Sequence, residues 1–248
     1  MSSIGEKAPG DGAYVVTGAG SGIGRDITRQ LLASGKPVSA WDINPGDLRE
    51  SNDPNLMIHT LDTRDSAAVG RAASETLERF GAINALSATA GIFRPKPFLE
   101  LTEQDWDEHF SINLKGVLLS VKAVLPGMRA RKKGSIVLWA SGLARSPSPG
   151  TAHYAATKGG VYGLMRTLAL EVACDGIRVN CVSPGIADTP MPNAVYDRSI
   201  LDSRASVNPL RRIGTAQDMA NAALFLMDEE NSFMTGQDIR VNGGVGLF

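Results

Sequence analysis

Short apolar runs and amphipathic stretches alternate along this chain. Residues 13–18 form a compact apolar run, and residues 36–42, 56–61, 83–89, 135–140, 177–182 and 237–241 repeat the pattern. Runs of that length bounded by turn residues predict strands. Between them, apolar positions recur at helical spacing. Ile23, Ile27, Leu31 and Leu32 share one face of a helix that Gly35 ends. Val69, Ala72, Ala73 and Leu77 share one face of a second helix, over 65–80, that Gly81 stops. Thr102, with Asp105 three residues on, predicts a helix start with a capping box. The helical stretch behind it runs to residue 131, with a bend or interruption expected near Pro126-Gly127. Further helices are predicted over 151–174 and 216–227. Residues 188–213 hold Pro190, Pro192 and Pro209 and show no clean period, which predicts a partly helical excursion.

Strands alternating with helices predict an α/β fold: one doubly wound (Rossmann-type) parallel sheet of about seven strands with helices on both faces. A single domain over 1–248 is expected, with a loose polar arm at 1–12 and a substrate-loop excursion at 186–213. Ligands of such sheets bind outside the carboxyl ends of the strands. That rule gathers the turn 18–24, Asp42, Asp62, Ala90-Gly91, Ser141 and Pro184-Gly185 on one edge.

Composition narrows the partners. The chain has 248 residues, 43% hydrophobic and 21% charged, enough for one large α/β domain. A net charge of −1 gives no reason to expect nucleic acid or an anionic membrane. The basic run Arg129, Arg131, Lys132 and Lys133 reads as the solvated C-terminus of a helix. The apolar run at 116–125 is broken by Ser120 and Lys122, so no membrane span is expected. Residues 1–12 hold no apolar run fit for a signal peptide. Cys174 and Cys181 read as small hydrophobes of a reducing compartment, so a soluble cytoplasmic protein is expected. His59, His109 and His153 are scattered without metal spacing, and no metal is expected.

The chemistry begins at the turn Gly18-Ala19-Gly20-Ser21-Gly22-Ile23-Gly24. Glycines let backbone N–H groups approach a ligand, and the helix starting at Ile23 offers unpaired donors to an anion such as pyrophosphate. Asp42 closes the second strand, near the ~20-residue spacing expected of a ribose-binding carboxylate. It would repel a 2′-phosphate, and Ser21 puts no arginine in the turn to receive one, so NAD is favoured over NADP. The same Asp would also serve as an ordinary turn residue before Asn44-Pro45-Gly46. Asp62, ending the third strand, fits either the adenine edge or the cap of the next helix. Tyr154 and Lys158 lie four apart on one helix face. An ammonium beside a phenol lowers the phenol pKa, which tunes Tyr154 toward acid–base work on an alcohol or ketone. Ser141 ends the fifth strand and is placed to hold the substrate oxygen; its alternative is a turn cap.

Taken together, Thr17-Gly18-x-x-x-Gly22-x-Gly24, Ile112-Asn113-Leu114, Ser141, Tyr154-x-x-x-Lys158, the run Asn180-Cys181-Val182-Ser183-Pro184-Gly185 and the ending from Thr235-Gly236-Gln237 to Gly243-Gly244 resemble a short-chain dehydrogenase/reductase over nearly the whole chain. The resemblance implies a catalytic tetrad of Asn113, Ser141, Tyr154 and Lys158. It implies that Lys158 also bonds the nicotinamide ribose and that Asn113 supports a water in a proton relay. It further implies that Pro184-Gly185 contacts the nicotinamide and that Thr189 bonds the carboxamide or pyrophosphate. Two departures stand out. Ala88-Thr89-Ala90-Gly91 replaces the usual Asn-Asn-Ala-Gly, and Arg211 replaces the glycine of a common Pro-Leu-Gly-Arg pattern.

The expected function is an NAD(H)-dependent interconversion of a small secondary alcohol and a ketone. Phe93, Leu143, His153 and Met191 are the expected substrate contacts, with packing as the other reading of His153. The family pairs its two long helices across subunits, which implies a homotetramer, or else a dimer. One alternative is a 3-oxoacyl-carrier-protein reductase, which Asp42 opposes because such relatives generally use NADPH. Another is a cofactor-sensing protein without turnover, although such proteins can discard the tyrosine that this chain keeps.

Overall fold

The computed structural model describes residues 12–246; the expected arm at 1–12 lies, but for Gly12, outside the described residues. The strands of the main sheet are β1 Ala13–Thr17, β2 Val38–Asp42, β3 Leu56–Thr60, β4 Ile83–Ala88, β5 Gly134–Trp139 and β6 Ile177–Pro184. The two-residue strands β7 Ala187–Asp188 and β8 Gly214–Thr215 form a separate parallel pair, and β9 Asp238–Val241 returns to the main sheet. Its order is β3-β2-β1-β4-β5-β6-β9, and every pairing is parallel. The order reverses between β1 and β4, the point where such sheets open a crevice for ligands.

The helices are α1 Gly22–Ala33, α2 Ser66–Phe80, α3 Glu103–Phe110, α4 Gly116–Arg131, α5 Ala152–Val172, the short α6 Pro190–Asn193, α7 Arg198–Val207 and α8 Ala216–Met227. The strands carry apolar residues on both faces because both faces are covered. Val15, Trp41, Leu86, Ile136, Leu138 and Val179 pack under α2, α4 and α5. The alternate positions Tyr14, Val16, Ala40, Ala85, Val137 and Trp139 pack under α1 and α8. A period of two thus sorts one strand set into two cores.

Thr102 caps α3 with the anticipated reciprocal box to Asp105. The expected interruption at Pro126 is corrected: α4 runs through Pro126. The departure from α geometry lies earlier, at Ser111–Lys115, which forms one π turn. Proline is the visible breaker in a sequence; a π turn carries no residue signature and is common at functional sites. By length and composition alone, the stretch Glu103–Arg131 is apolar enough to cross a membrane. It instead buries Val117, Val121, Val124 and Met128 in the core beneath it. The excursion at 186–213 is partly helical as expected, and β7 paired with β8 ties its two ends together.

Candidate active site

The glycine turn follows β1 and is held by its neighbours. Gly18 sits at φ +66°, and a Cβ there would stand 2.9 Å from Ala90 Cα. A Cβ on Gly20 would stand 2.0 Å from the Asn44 carbonyl oxygen. Only glycine fits both places. The Ala90 N–H donates to Thr17 Oγ1 at 3.0 Å, closing the end of β4 onto the turn. Asp42 does two things at once: its Oδ2 accepts from the Gly20 N–H and its Oδ1 from the Asn44 N–H, both at 2.8 Å. A carboxylate has about four acceptor positions, so further ones remain. Ser21 is the exposed N-cap residue of α1 and makes no side-chain capping bond, which leaves the donors of Gly22, Ile23 and Gly24 to an outside acceptor. Thr189, buried at the start of α6, lies across from Gly22, 3.5 Å from where a Cβ would be.

Asp62 is tied down by its neighbour. Arg64 Nε donates to both of its oxygens, at 2.9 and 3.1 Å, and this bond holds the carboxyl below its usual range. The capping alternative for Asp62 is corrected: Asp65 caps α2, accepting from Ala67 and Ala68.

Around the sheet edge, three elements bring the tetrad positions together: the π turn, the end of β5 and α5. Asn113, fully buried in the π turn, accepts from the Ile92 N–H at 2.8 Å and donates to the Ile92 carbonyl at 2.9 Å. Ser141 follows β5 and accepts from the Leu143 N–H at 3.2 Å. Tyr154 and Lys158 rise from the first turns of α5. The Ser141 hydroxyl lies close enough to the phenol to favour its ionised form. Lys158 Nζ donates to the Trp139 carbonyl at 2.8 Å and stands 5.7 Å from the Tyr154 ring centroid. Gly91 lies between: a Cβ there would be 3.1 Å from Asn113 Oδ1 and 3.7 Å from Lys158 Nζ. The backbone turn at Pro184 and Gly185 closes the same edge, the Pro184 carbonyl 3.4 Å from a Cβ built on Gly142.

The electrostatics differ from expectation. Burial pushes the Tyr154 phenol up to about 12, with the Ser141 hydroxyl pulling the other way. Burial pushes Lys158 down to about 8. The ammonium faces a carbonyl and the ring rather than the hydroxyl, and both groups are desolvated. The predicted lowering of the phenol by Lys158 is therefore absent.

Phe93 is buried with its ring 4.8 Å from that of Tyr154, edge to face, and Tyr196 reaches Phe93 from the excursion at 6.0 Å. Leu143 is half-buried and Met191 is 38% exposed at the mouth. His153 is a correction. It is fully buried, its Nε2 donates to the Arg94 carbonyl at 2.9 Å, and its ring packs on His109, so it presents no surface to a substrate. Arg94 and Arg145 are ion-paired with Glu108 and Asp238.

Sequence reasoning passed over Thr157, whose Oγ1 donates to the Tyr154 carbonyl and accepts from Asn113 Nδ2 at 3.3 Å. Its position three residues after Tyr154 was the available signal. The departure Thr89 also finds a partner: its hydroxyl pairs with Ser87 at 2.8 Å, and Ser87 in turn accepts from Trp139 Nε1. No group of three or more metal-ligating side chains occurs among the described residues. A cavity of about 730 Å³ between Gly12, Leu31, Arg131 and Glu229 opens at the amino edge of the sheet, away from all of these groups.

Comparisons agree with this arrangement. Residues 18–246 match the family model described as Enoyl-(Acyl carrier protein) reductase. The 3-oxoacyl-(acyl-carrier-protein) reductase of Thermotoga maritima is 34% identical over 237 residues, covering 93% of this chain and 96% of that one. The crystal structure of levodione reductase superposes with a TM-score of 0.89 at 31% identity, covering 96% of this chain and 98% of that one. A structure of ElxO with NADP bound gives 0.88 at 28% identity, covering 94% of this chain and 98% of that one. A match over nearly the whole length, on a sheet of this order with Tyr154, Lys158, Ser141 and Asn113 drawn to its carboxyl edge, makes this chain a member of the short-chain dehydrogenase/reductase family, an oxidoreductase that works with a nicotinamide cofactor.

Proposed function

We propose that this protein is an NAD(H)-dependent enzyme interconverting a secondary alcohol and a ketone. The observation that carries the reading is the buried Tyr154 phenol, with Ser141 acting on it and Lys158 over its ring, on the sheet edge that also bears the glycine turn. The residues there fit a dinucleotide. The turn keeps side chains out of the space before α1, whose first-turn donors suit a pyrophosphate, and Asp42 keeps acceptor positions for ribose hydroxyls. Asp62 stands for the adenine side, and Ala90, Gly91, Pro184, Gly185 and Thr189 for the nicotinamide half. When bound, the nicotinamide exchanges hydride with the carbinol carbon. Ser141 orients the substrate oxygen and Tyr154 moves its proton. Burial keeps Tyr154 protonated at neutral pH, the form that donates to a ketone oxygen. Lys158 supplies positive charge beside the phenol, and Asn113 fixes the segment that bears Phe93.

The charge of Asp42 sets the cofactor preference in this reading. Initial rates of ketone reduction with NADH and with NADPH test it: wild type favours NADH, and Asp42→Asn narrows that preference by about tenfold or more. A wild type that favours NADPH contradicts the assignment. Reduction of a 3-oxoacyl thioester is the second reading, supported by the Thermotoga relative. The retained tetrad opposes a sensor without turnover. We also infer a soluble cytoplasmic homotetramer acting on a small molecule, not on nucleic acid or membrane. Gly159 and Gly163 on α5 have open space where a Cβ would stand, and Leu118 and Leu170 are exposed. A second helix pressed against them would offset the cost of helical glycine.

A further inference from the structure

Three consecutive residues of the segment after β4 are tied one by one to the site. Ile92 makes both of its backbone bonds to Asn113. Phe93 packs edge to face on Tyr154. The Arg94 carbonyl accepts from His153, the residue before Tyr154. His153 does not stand alone: its ring meets that of His109 on α3 edge to face, 4.1 Å between centroids with the planes 85° apart. His109 Nδ1 lies 2.7 Å from the Asp105 carbonyl oxygen. A carbonyl only accepts, so both rings are fixed in tautomer: His109 carries its proton on Nδ1 and His153 on Nε2. The remaining nitrogens, His109 Nε2 and His153 Nδ1, are buried without a partner. That is the arrangement of two neutral imidazoles.

We propose that His153, with His109 behind it, is a positioning residue for Tyr154: a neutral imidazole pair that pins the Ile92–Arg94 segment to α5 and releases it when the His109 ring gains a second proton. A second N–H on either ring would be buried with no acceptor, which is costly. The charged groups around the pair do not relieve it. On α3, the Asp105 carboxylate is taken by Lys96 and by Thr102, and Glu108 is paired with Arg94. Arg94 and Lys96, on the connecting segment, are cations and oppose a further positive charge. On α5, Tyr154 is neutral, its phenol pushed up by burial. Burial, with His153 and Arg94 adding to it, already holds His109 below the ordinary histidine value. A protonated ring has to leave its place, and Phe93 then loosens from Tyr154.

The activity arm of the test rests on the ketoreductase reading, with ethyl acetoacetate as probe in the full-length protein. Glutamine extends a donor about as far as histidine Nε2, and asparagine about as far as Nδ1. His153→Leu lowers kcat about tenfold or more, with NADH affinity by fluorescence titration changed less than about twofold. His153→Gln recovers most of the loss. Wild-type kcat falls as pH drops into the acid range below the ordinary histidine value, and the His109→Asn/His153→Gln double variant keeps its rate there. Wild-type kcat in His153→Leu, or an unchanged acid loss in the double variant, overturns the proposal. A wild type that does not reduce the probe counts against the ketoreductase reading instead. Ring-nitrogen NMR then decides, as it does if His153→Leu fails to fold. Two neutral rings protonated on His109 Nδ1 and His153 Nε2 near neutral pH support the proposal, and a doubly protonated ring overturns it.

Discussion

Asp42 and Lys158 show how side chains proposed for the site are also tied into the fold. Asp42 fastens the glycine turn to the turn after β2 through two backbone N–H groups, so the turn role and the ribose role foreseen as alternatives are compatible. Lys158 is buried, and its pKa is pushed from 10.5 down to about 8. Between those values the unfolded chain holds a proton that the native one lacks, so stability rises with pH across that interval. Thermal melts should therefore show wild type gaining on Lys158→Met from pH 8 toward 10.5; parallel pH profiles would show that burial does not perturb this lysine. Tyr154 and Lys158 were legible in the sequence because an i, i+4 pair must share a helix face. The burial of His153 was not, because it depends on His109 arriving from a helix about 44 residues earlier, and no local pattern encodes a long-range contact.

Among the elements, the capping box of α3 and the ends of most strands were readable from local chemistry. The π turn at Ser111–Lys115 was not, although it is what turns Asn113 inward. The excursion carries a different kind of departure. Arg211, flagged as standing where relatives carry glycine, adopts φ +56°, a left-handed backbone that disfavours a side chain. Arg211 Nη1 donates to the Ser206 carbonyl, which returns part of that cost. Arg211→Gly should raise stability by roughly 0.5–1 kcal/mol, the relieved strain outweighing the extra freedom of the unfolded chain. The urea midpoint reads this directly: it rises with an unchanged slope, whereas a lower midpoint would mean that the strain is fully compensated.

At the scale of the whole molecule, strand alternation forecast the doubly wound sheet, and the strand-end rule forecast that the candidate site residues gather at one edge, because topology leaves them nowhere else to go. Subunit assembly belongs to this scale as well. Light scattering on the eluting protein should give the mass of four chains of 26.2 kDa; a monomer would leave the open glycine face of α5 without its inferred partner. The central claim is that the sheet edge performs acid–base chemistry through one phenol. Tyr154→Phe keeps the ring that packs on Phe93 and removes only the hydroxyl. NADH-linked turnover of a ketone in this variant, measured beside NADH affinity, should fall by about 10²–10⁴-fold with affinity unchanged. Undiminished turnover would contradict the account.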